Sequence, residues 1–357
     1  MQAVLVLESG ERFYGRSFGA EANAAGELVF YSAMAGYQEV LCDPAHQNKL
    51  VIMTYPMVGS YGVNEQDGTD FCATGLIVKE YVDYPSNFRS EGTLSELMKE
   101  KGVVGIEGID TRALVKRLRN GDRIRAALIA TDDKIDFEEV GFILECTPLD
   151  FGVLGMTGDF PEVYRPEGET KCRIALYDFG TKKSVINAFT SQGAEVTVYP
   201  PRSDVDNIAR MNFDALIIAG GAGELEDSIK KYTERVKALI ALGLPTLGVD
   251  MGHLMIAAAL GGKIKQMDKA HRSASCTVRD IKASRVYPTQ QSHVYEVCAD
   301  ALPEGAEVSF VCQNDGCVEG LDYPEKNIKT VQFYPDGYPK EYGTGYVYSE
   351  FLDSLKG

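Results

Sequence analysis

The chain has 357 residues, 45% hydrophobic and 25% charged, with 52 acidic against 36 basic side chains and a net charge of −16. That length suits two domains better than one, and the composition is that of an ordinary globular protein with enough apolar residues for a core. The acidity and the lack of a basic block exclude a nucleic-acid footprint, and no apolar run approaches the ~20 residues of a membrane span.

The first residues, Met1-Gln2-Ala3-Val4-Leu5-Val6-Leu7-Glu8, carry no cationic region and meet an acid at once. They read as a first strand and not as a signal peptide. Residues 1 to about 130 are strand-rich, with short apolar runs at Ala3–Leu7, Glu27–Phe30 and Leu50–Met53 cut by Gly, Pro and Asp. Thr93-Leu94-Ser95-Glu96 has the spacing of a capping box, and a second helix is expected from Asp110-Thr111-Arg112. Residues 131–170 show no clear pattern. Asp159-Phe160-Pro161 and Arg165-Pro166-Glu167-Gly168-Glu169 read as linker. The expected domains are 1–150 and 172–357, joined by a linker over 151–171.

From Cys172 the rhythm changes. Strands are expected at 173–177, 195–199, 215–219 and 245–249, with helical spacing over 182–192 and 225–242. Strands alternating with helices imply right-handed βαβ units and a parallel sheet, so the chain is α/β in class. Ligands in such sheets sit beyond the carboxyl ends of the strands. Gly220–Gly223 and Asp250 both fall at such ends and so face one pocket. The eight cysteines (42, 72, 146, 172, 276, 298, 312 and 317) form no Cys-x-x-Cys pair, which fits reduced thiols in a cytoplasm. Cys312 and Cys317 lie close together, but no neighbouring His or second pair completes a zinc site, and no metal-ligand cluster is visible.

Gly248-Val249-Asp250-Met251-Gly252-His253 follows one apolar run and opens another, Leu254–Leu260. This is the pattern of a strand, a tight turn and a helix that holds one side chain out at the helix N-terminus. The residue on display is Asp250. By spacing alone the plainer reading is an N-cap, since Asp accepts backbone N–H bonds there and suits the helix dipole. Gly220-Gly221-Ala222-Gly223-Glu224 can cradle an oxyanion through backbone N–H groups or can be a simple tight turn. It lacks the order of a dinucleotide fingerprint. Gln332-Phe333-Tyr334-Pro335-Asp336 reads as a strand end and turn. Of the histidines at 46, 253, 271 and 293, His253 would point along the new helix, which suits a structural hydrogen bond.

Further stretches carry a resemblance. They are Met34-Ala35-Gly36-Tyr37-Gln38-Glu39-Val40-Leu41, Thr54-Tyr55-Pro56, Tyr61-Gly62-Val63-Asn64-Glu65, Ser86-Asn87-Phe88-Arg89-Ser90 and Gly108–Leu114 in the first half. Asp178-Phe179-Gly180-Thr181-Lys182 and Asn314–Leu321 follow in the second. In this order they resemble the small subunit of carbamoyl phosphate synthetase over nearly the whole chain. The resemblance implies a small-subunit N-terminal domain and a C-terminal class I glutamine-amidotransferase-like domain, with a central, mostly parallel sheet flanked by helices. The family hydrolyses glutamine and passes ammonia to a large subunit that makes carbamoyl phosphate, which feeds arginine or pyrimidine biosynthesis. ATP and Mg are expected on that large subunit, with no cofactor in this chain.

The family triad is a Cys in a Gly-x-Cys-Leu-Gly-His-Gln elbow with His and Glu from a His-Pro-Glu segment. A thiolate attacks the amide, the His moves protons and the carboxylate orients the His. Here the Cys position is Asp250, the His position is Tyr334 and the Glu position is Asp336. The glutamine-contact positions are Ala45, Gly221, Gly223, Met251, Leu254, Ser292, Val294 and Tyr295, several of them altered from the family residue. Loss of a triad nucleophile or base costs on the order of 10⁶ in rate, so glutamine hydrolysis is expected to be absent. Tyr334 is placed to donate a hydrogen bond to Asp250. Two functions follow: a non-hydrolytic subunit bound to a large subunit, as in ammonia-using relatives with a replaced nucleophile, or a free-standing pseudo-amidotransferase acting as a binding or regulatory module. A glutaminase with an unrecognised mechanism ranks below both.

Overall fold

The computed structural model describes residues 1–118, 123–131, 135–147, 160–221, 225–336 and 343–355. The chain divides into two compact units, Met1–Phe151 and Gly152–Gly357. No helix among the described residues is long and apolar enough to cross a membrane.

The strands of the first unit are β1 (Gln2–Leu7), β2 (Arg12–Gly19), β3 (Asn23–Tyr31), β4 (Lys49–Met53), β5 (Met57–Val58), β6 (Gly75–Ile77), β7 (Glu80–Tyr81), β8 (Val104–Glu107) and β9 (Ile124–Ala130). Its helices are α1 (Tyr37–Leu41), α2 (Leu94–Lys101), α3 (Thr111–Leu118) and α4 (Phe137–Cys146). Seven strands close into a barrel in the order β1-β2-β8-β6-β4-β3-β9, which leaves no unpaired edge. Successive side chains of a strand point to opposite faces. Leu5, Leu28, Ile52, Ile77, Val104 and Leu128 therefore meet in one buried cluster, while Val4, Val6, Ala127 and Ile129 pack with Val140 and Leu144 of α4. The capping box forms as expected: the Thr93 hydroxyl accepts from Glu96 N at 3.2 Å, and Glu96 Oε2 accepts from Thr93 N at 3.1 Å. Helix α4 lies where the sequence showed no pattern, and Asp136 caps it by accepting from the backbone N–H groups of Glu138 and Glu139.

The second unit contains strands β10 (Glu162–Tyr164), β11 (Cys172–Asp178), β12 (Ala194–Tyr199), β13 (Ala215–Gly220) and β14 (Thr246–Asp250). Strands β15 (Ile264–Asp280), β16 (Arg285–Val297), β17 (Glu307–Cys312), β18 (Val318–Tyr323) and β19 (Ile328–Val331) follow. Its helices are α5 (Lys183–Thr190), α6 (Val205–Ala209), α7 (Leu225–Ile240), α8 (Met251–Ala259) and α9 (Tyr346–Ser354). The sheet order is β10-β12-β11-β13-β14-β19-β18-β16-β15-β17, with β17 also paired to β18. Strands β12, β11, β13, β14 and β19 run parallel to one another. Ile174 and Leu176 face α5 and α9, whereas Ala175 and Tyr177 face α7 and α8, so both sides of the parallel part are covered.

Two features depart from the sequence reading. Glu162–Tyr164, inside the expected linker, is an edge strand antiparallel to β12. An edge strand hydrogen-bonds on one side only, so a short polar stretch beside a proline suffices. The long antiparallel hairpin β15–β16 also has no simple alternation to announce it; its pairing is interrupted between Gln266/His271 and between Ser273/Cys276.

Candidate functional site

Strand β14 delivers Asp250 at φ 55° and ψ −115°, a backbone conformation that a non-glycine residue adopts only when its surroundings impose it. Two glycines impose it here. A Cβ on Gly252 would lie 1.8 Å from the Ile218 carbonyl oxygen, and one on Gly248 would lie 2.7 Å from Ile256 Cδ1. Helix α8 therefore meets β13 at backbone distance and packs closely on β14, and the residue between β14 and α8 must turn outward.

Asp250 does not cap α8 with its side chain, contrary to the plainer sequence reading. Its carboxylate, 4% exposed, turns instead to the end of β19. Tyr334 Oη donates to Asp250 Oδ2 at 2.6 Å, and Gln332 Nε2 donates to Asp250 Oδ1 at 3.0 Å. A charge-assisted hydrogen bond of that length is among the stronger ones available to a side chain. Asp250 Oδ2 also lies against Gly221: a Cβ added there would come within 2.0 Å of it. The carboxylate thus fills the ground next to Gly221. Lys182 Nζ stands 3.9 Å above the Tyr334 ring. Asp336 accepts a hydrogen bond from Tyr348 Oη at 3.1 Å.

The remaining candidate positions scatter by environment. Met251 and Leu254 are buried in the apolar cluster under α8. Ser292, Val294 and Tyr295 lie on β16, and the Tyr295 carbonyl accepts from His293 Nδ1 at 2.9 Å. Ala45 is buried in a short turn of the first unit. Gly223 lies outside the described residues. His253 is fully buried; its Nδ1–H donates to Thr330 Oγ1 at 2.8 Å, and Thr330 in turn donates to the Leu321 carbonyl. Burial pushes its pKa down to about 3, so it is neutral.

Sequence reasoning gave no role to Gln332 or Lys182. The signal for Gln332 was present: Gln332 and Tyr334 are two apart at a strand end and so share a face. It also missed a polar cluster. His271 on β15, His293 on β16 and Glu319 on β18 come together, with Asp315 and Cys317 from the turn before β18. The sequence did not show this cluster, because sheet pairing joins residues up to 48 positions apart, as between His271 and Glu319. Burial opposes a charge on His271, but hydrogen bonds to Glu319 and Asp315 outweigh it and raise its pKa to about 9. Burial likewise works against an ionised Glu319, yet His293 and His271 hold its carboxyl below the usual range.

Residues 5–128 match the carbamoyl-phosphate synthase small chain, CPSase domain, and residues 175–354 match glutamine amidotransferase class-I. The chain is 36% identical over 354 residues to the carbamoyl phosphate synthase small chain of Clostridium perfringens, covering 99% of each. It is 34% identical over 378 residues to that of Aquifex aeolicus, again covering 99% of each. The small chain of Archaeoglobus fulgidus is 33% identical over 365 residues, covering 100% of this chain and 99% of that one.

Proposed function

The chain belongs to the carbamoyl phosphate synthase small chain family, and from that premise we propose that it is a non-hydrolytic small subunit that supports carbamoyl phosphate formation from free ammonia. The observation that carries this is the Asp250 carboxylate seated against Gly221 and tied down by Tyr334 and Gln332. Amide hydrolysis at such an elbow needs a nucleophile, a base to move its proton and free backbone donors for the oxyanion. Asp250 brings a carboxylate to the space the oxyanion needs, so a tetrahedral intermediate would build negative charge beside it. Tyr334 spends its hydroxyl proton on Asp250, and Asp336 takes its hydrogen bond from Tyr348. No group at these positions can protonate a departing amine in the way a histidine does.

The partner in this reading is a cytoplasmic large subunit, which holds ATP and Mg and performs the phosphorylation steps, for arginine or pyrimidine synthesis. The family's two-domain organisation, matched over nearly the whole chain, supports the partnership. The altered contact positions Ala45, Leu254, Ser292 and Val294 favour a second reading, a free-standing pseudo-amidotransferase that works as a binding or regulatory module.

Co-expression with the large subunit of the same genome tests the proposal, with carbamoyl phosphate measured from glutamine and from ammonium. Product from ammonium alone is the expected result. Product from glutamine would overturn it. A chain that forms no complex and adds nothing with either donor would transfer the case to the free-standing module.

A further inference from the structure

The cluster around Glu319 gathers nitrogen and oxygen donor atoms from three strands of the second sheet. His271 and His293 are cross-strand partners on β15 and β16, and an interruption of the pairing lies on each side of His271. Such irregularities re-aim a side chain, and here they turn both imidazoles toward Glu319. All three residues are buried: His271 is 8% exposed, His293 6% and Glu319 0%.

Each outer nitrogen is bonded to an oxygen. His271 Nε2 donates to Asp315 Oδ2 at 2.7 Å, and His293 Nδ1 donates to the Tyr295 carbonyl at 2.9 Å. Once its inner proton is given up, each ring presents a lone pair on its inner nitrogen. His271 Nδ1 lies 3.2 Å from Glu319 Oε1, and His293 Nε2 lies 3.5 Å from the same oxygen. Gln291 Oε1 is 3.4 Å from His293 Nε2, while its amide nitrogen donates to Glu319 Oε2 at 3.1 Å. Two inner imidazole nitrogens, a carboxylate oxygen and an amide oxygen thus converge.

We infer that His271 Nδ1, His293 Nε2 and Glu319 Oε1 form a site for one divalent transition-metal ion, with Gln291 Oε1 as a fourth donor. The spacing fits. Metal–ligand bonds of ~2.1 Å set the corners of a tetrahedron ~3.4 Å apart, close to the 3.2, 3.4 and 3.5 Å separations present. The two imidazole centroids are 4.9 Å apart at 77°, as two rings on one ion would be. Each histidine already has the outer oxygen partner that holds a metal-binding imidazole in place. Two imidazoles with oxygen donors select zinc, cobalt or nickel over calcium or magnesium. Glu319 and Asp315 together balance the charge of a divalent ion. Bound there, the ion would pin β15, β16 and β18 together.

A second donor set shares His271 through its other nitrogen, with Asp315 and Cys317. It has one imidazole where the first has two, and its carboxylate is partly in water. Protons on both imidazoles are the competing way to satisfy the lone pairs, and metal titration separates the two.

The test is titration of the full chain, stripped with chelator, with Co²⁺, read by visible absorption and by metal content after desalting. One equivalent per chain with the intense bands of four-coordinate cobalt is expected. The double variant His271→Ala/His293→Ala and the isosteric Glu319→Gln should lose it, and Asp315→Asn should weaken it ~10–100-fold. Circular dichroism establishes which variants fold. No stoichiometric Co²⁺ on the folded wild-type chain overturns the inference without any variant. Sulfur-to-cobalt charge transfer that vanishes in Cys317→Ser also overturns it, because the ion would then occupy the other set.

Discussion

Replacing Tyr334 with Phe removes one hydroxyl and keeps the ring beneath Lys182. The hydroxyl donates at 2.6 Å to a carboxylate that is 4% exposed, from a residue that is 1% exposed. Hydrogen bonds to charged groups contribute ~1.5–3 kcal/mol, and a buried charge left short of a donor costs more than a neutral group would. Gln332 Nε2 still donates to the other oxygen, so a loss of about 2 kcal/mol is expected. Asp250→Asn should behave differently. Its amide oxygen can accept from Tyr334, and its NH₂ can donate to Gln332 Oε1, which is buried and has no partner among the described residues. A cost below about 1 kcal/mol follows, since the number of unpaired amide groups stays the same. In the double variant the unpaired acceptor is neutral, so the two changes should couple by ~1–2 kcal/mol. Hydrogen exchange in urea, read on peptides spanning 246–259 and 328–336, measures the opening of this region directly. A Tyr334→Phe effect within about 0.5 kcal/mol of zero, the range of an ordinary surface change, would refute the idea that the hydroxyl holds Asp250 in place.

Two further outcomes are expected. Asp250→Cys places a thiol at the elbow but leaves Tyr334 at the histidine position, so glutamate release from glutamine should stay at background; turnover above the no-enzyme rate would show that another group serves as base. His253, neutral in the fold because burial lowers its pKa from 6.5 to about 3, with Glu319 opposing and His293 adding to that fall, makes stability depend on acid. The unfolded chain takes up the extra proton, so this contribution is complete above about pH 6.5 and is lost as pH falls toward 3, by up to ~1.4 kcal/mol per pH unit. His253→Asn keeps a donor for Thr330 and removes the titration; unfolding free energies of the two proteins that fall in parallel between pH 6.5 and 4 would contradict the burial argument.

The parallel half of the second sheet was legible because its strands are continuous apolar runs and its helices have regular spacing. The elbow was legible too, since Gly-x-Asp-x-Gly between a strand and a helix is local geometry: Gly248 and Gly252 sit where no Cβ fits. Helix α2 announced itself through Thr93 and Glu96, whose mutual bonds span three residues.

What escaped the sequence depends on partners far along the chain. Polar residues alternate irregularly in β15 and β16, and neither strand has meaning until the other lies beside it. The choice Asp250 makes between capping its own helix and meeting Tyr334 and Gln332 is between a local donor and two donors more than 80 positions away. Composition cannot rank those options, because the energy of a carboxylate depends on burial and donor geometry. The gathering of His271, His293 and Glu319 is likewise a property of strand register. The residue types at the elbow already told against hydrolysis; the tertiary structure decided where the displaced carboxylate goes and what converges beside it, because only close packing sets which distant polar groups must satisfy one another.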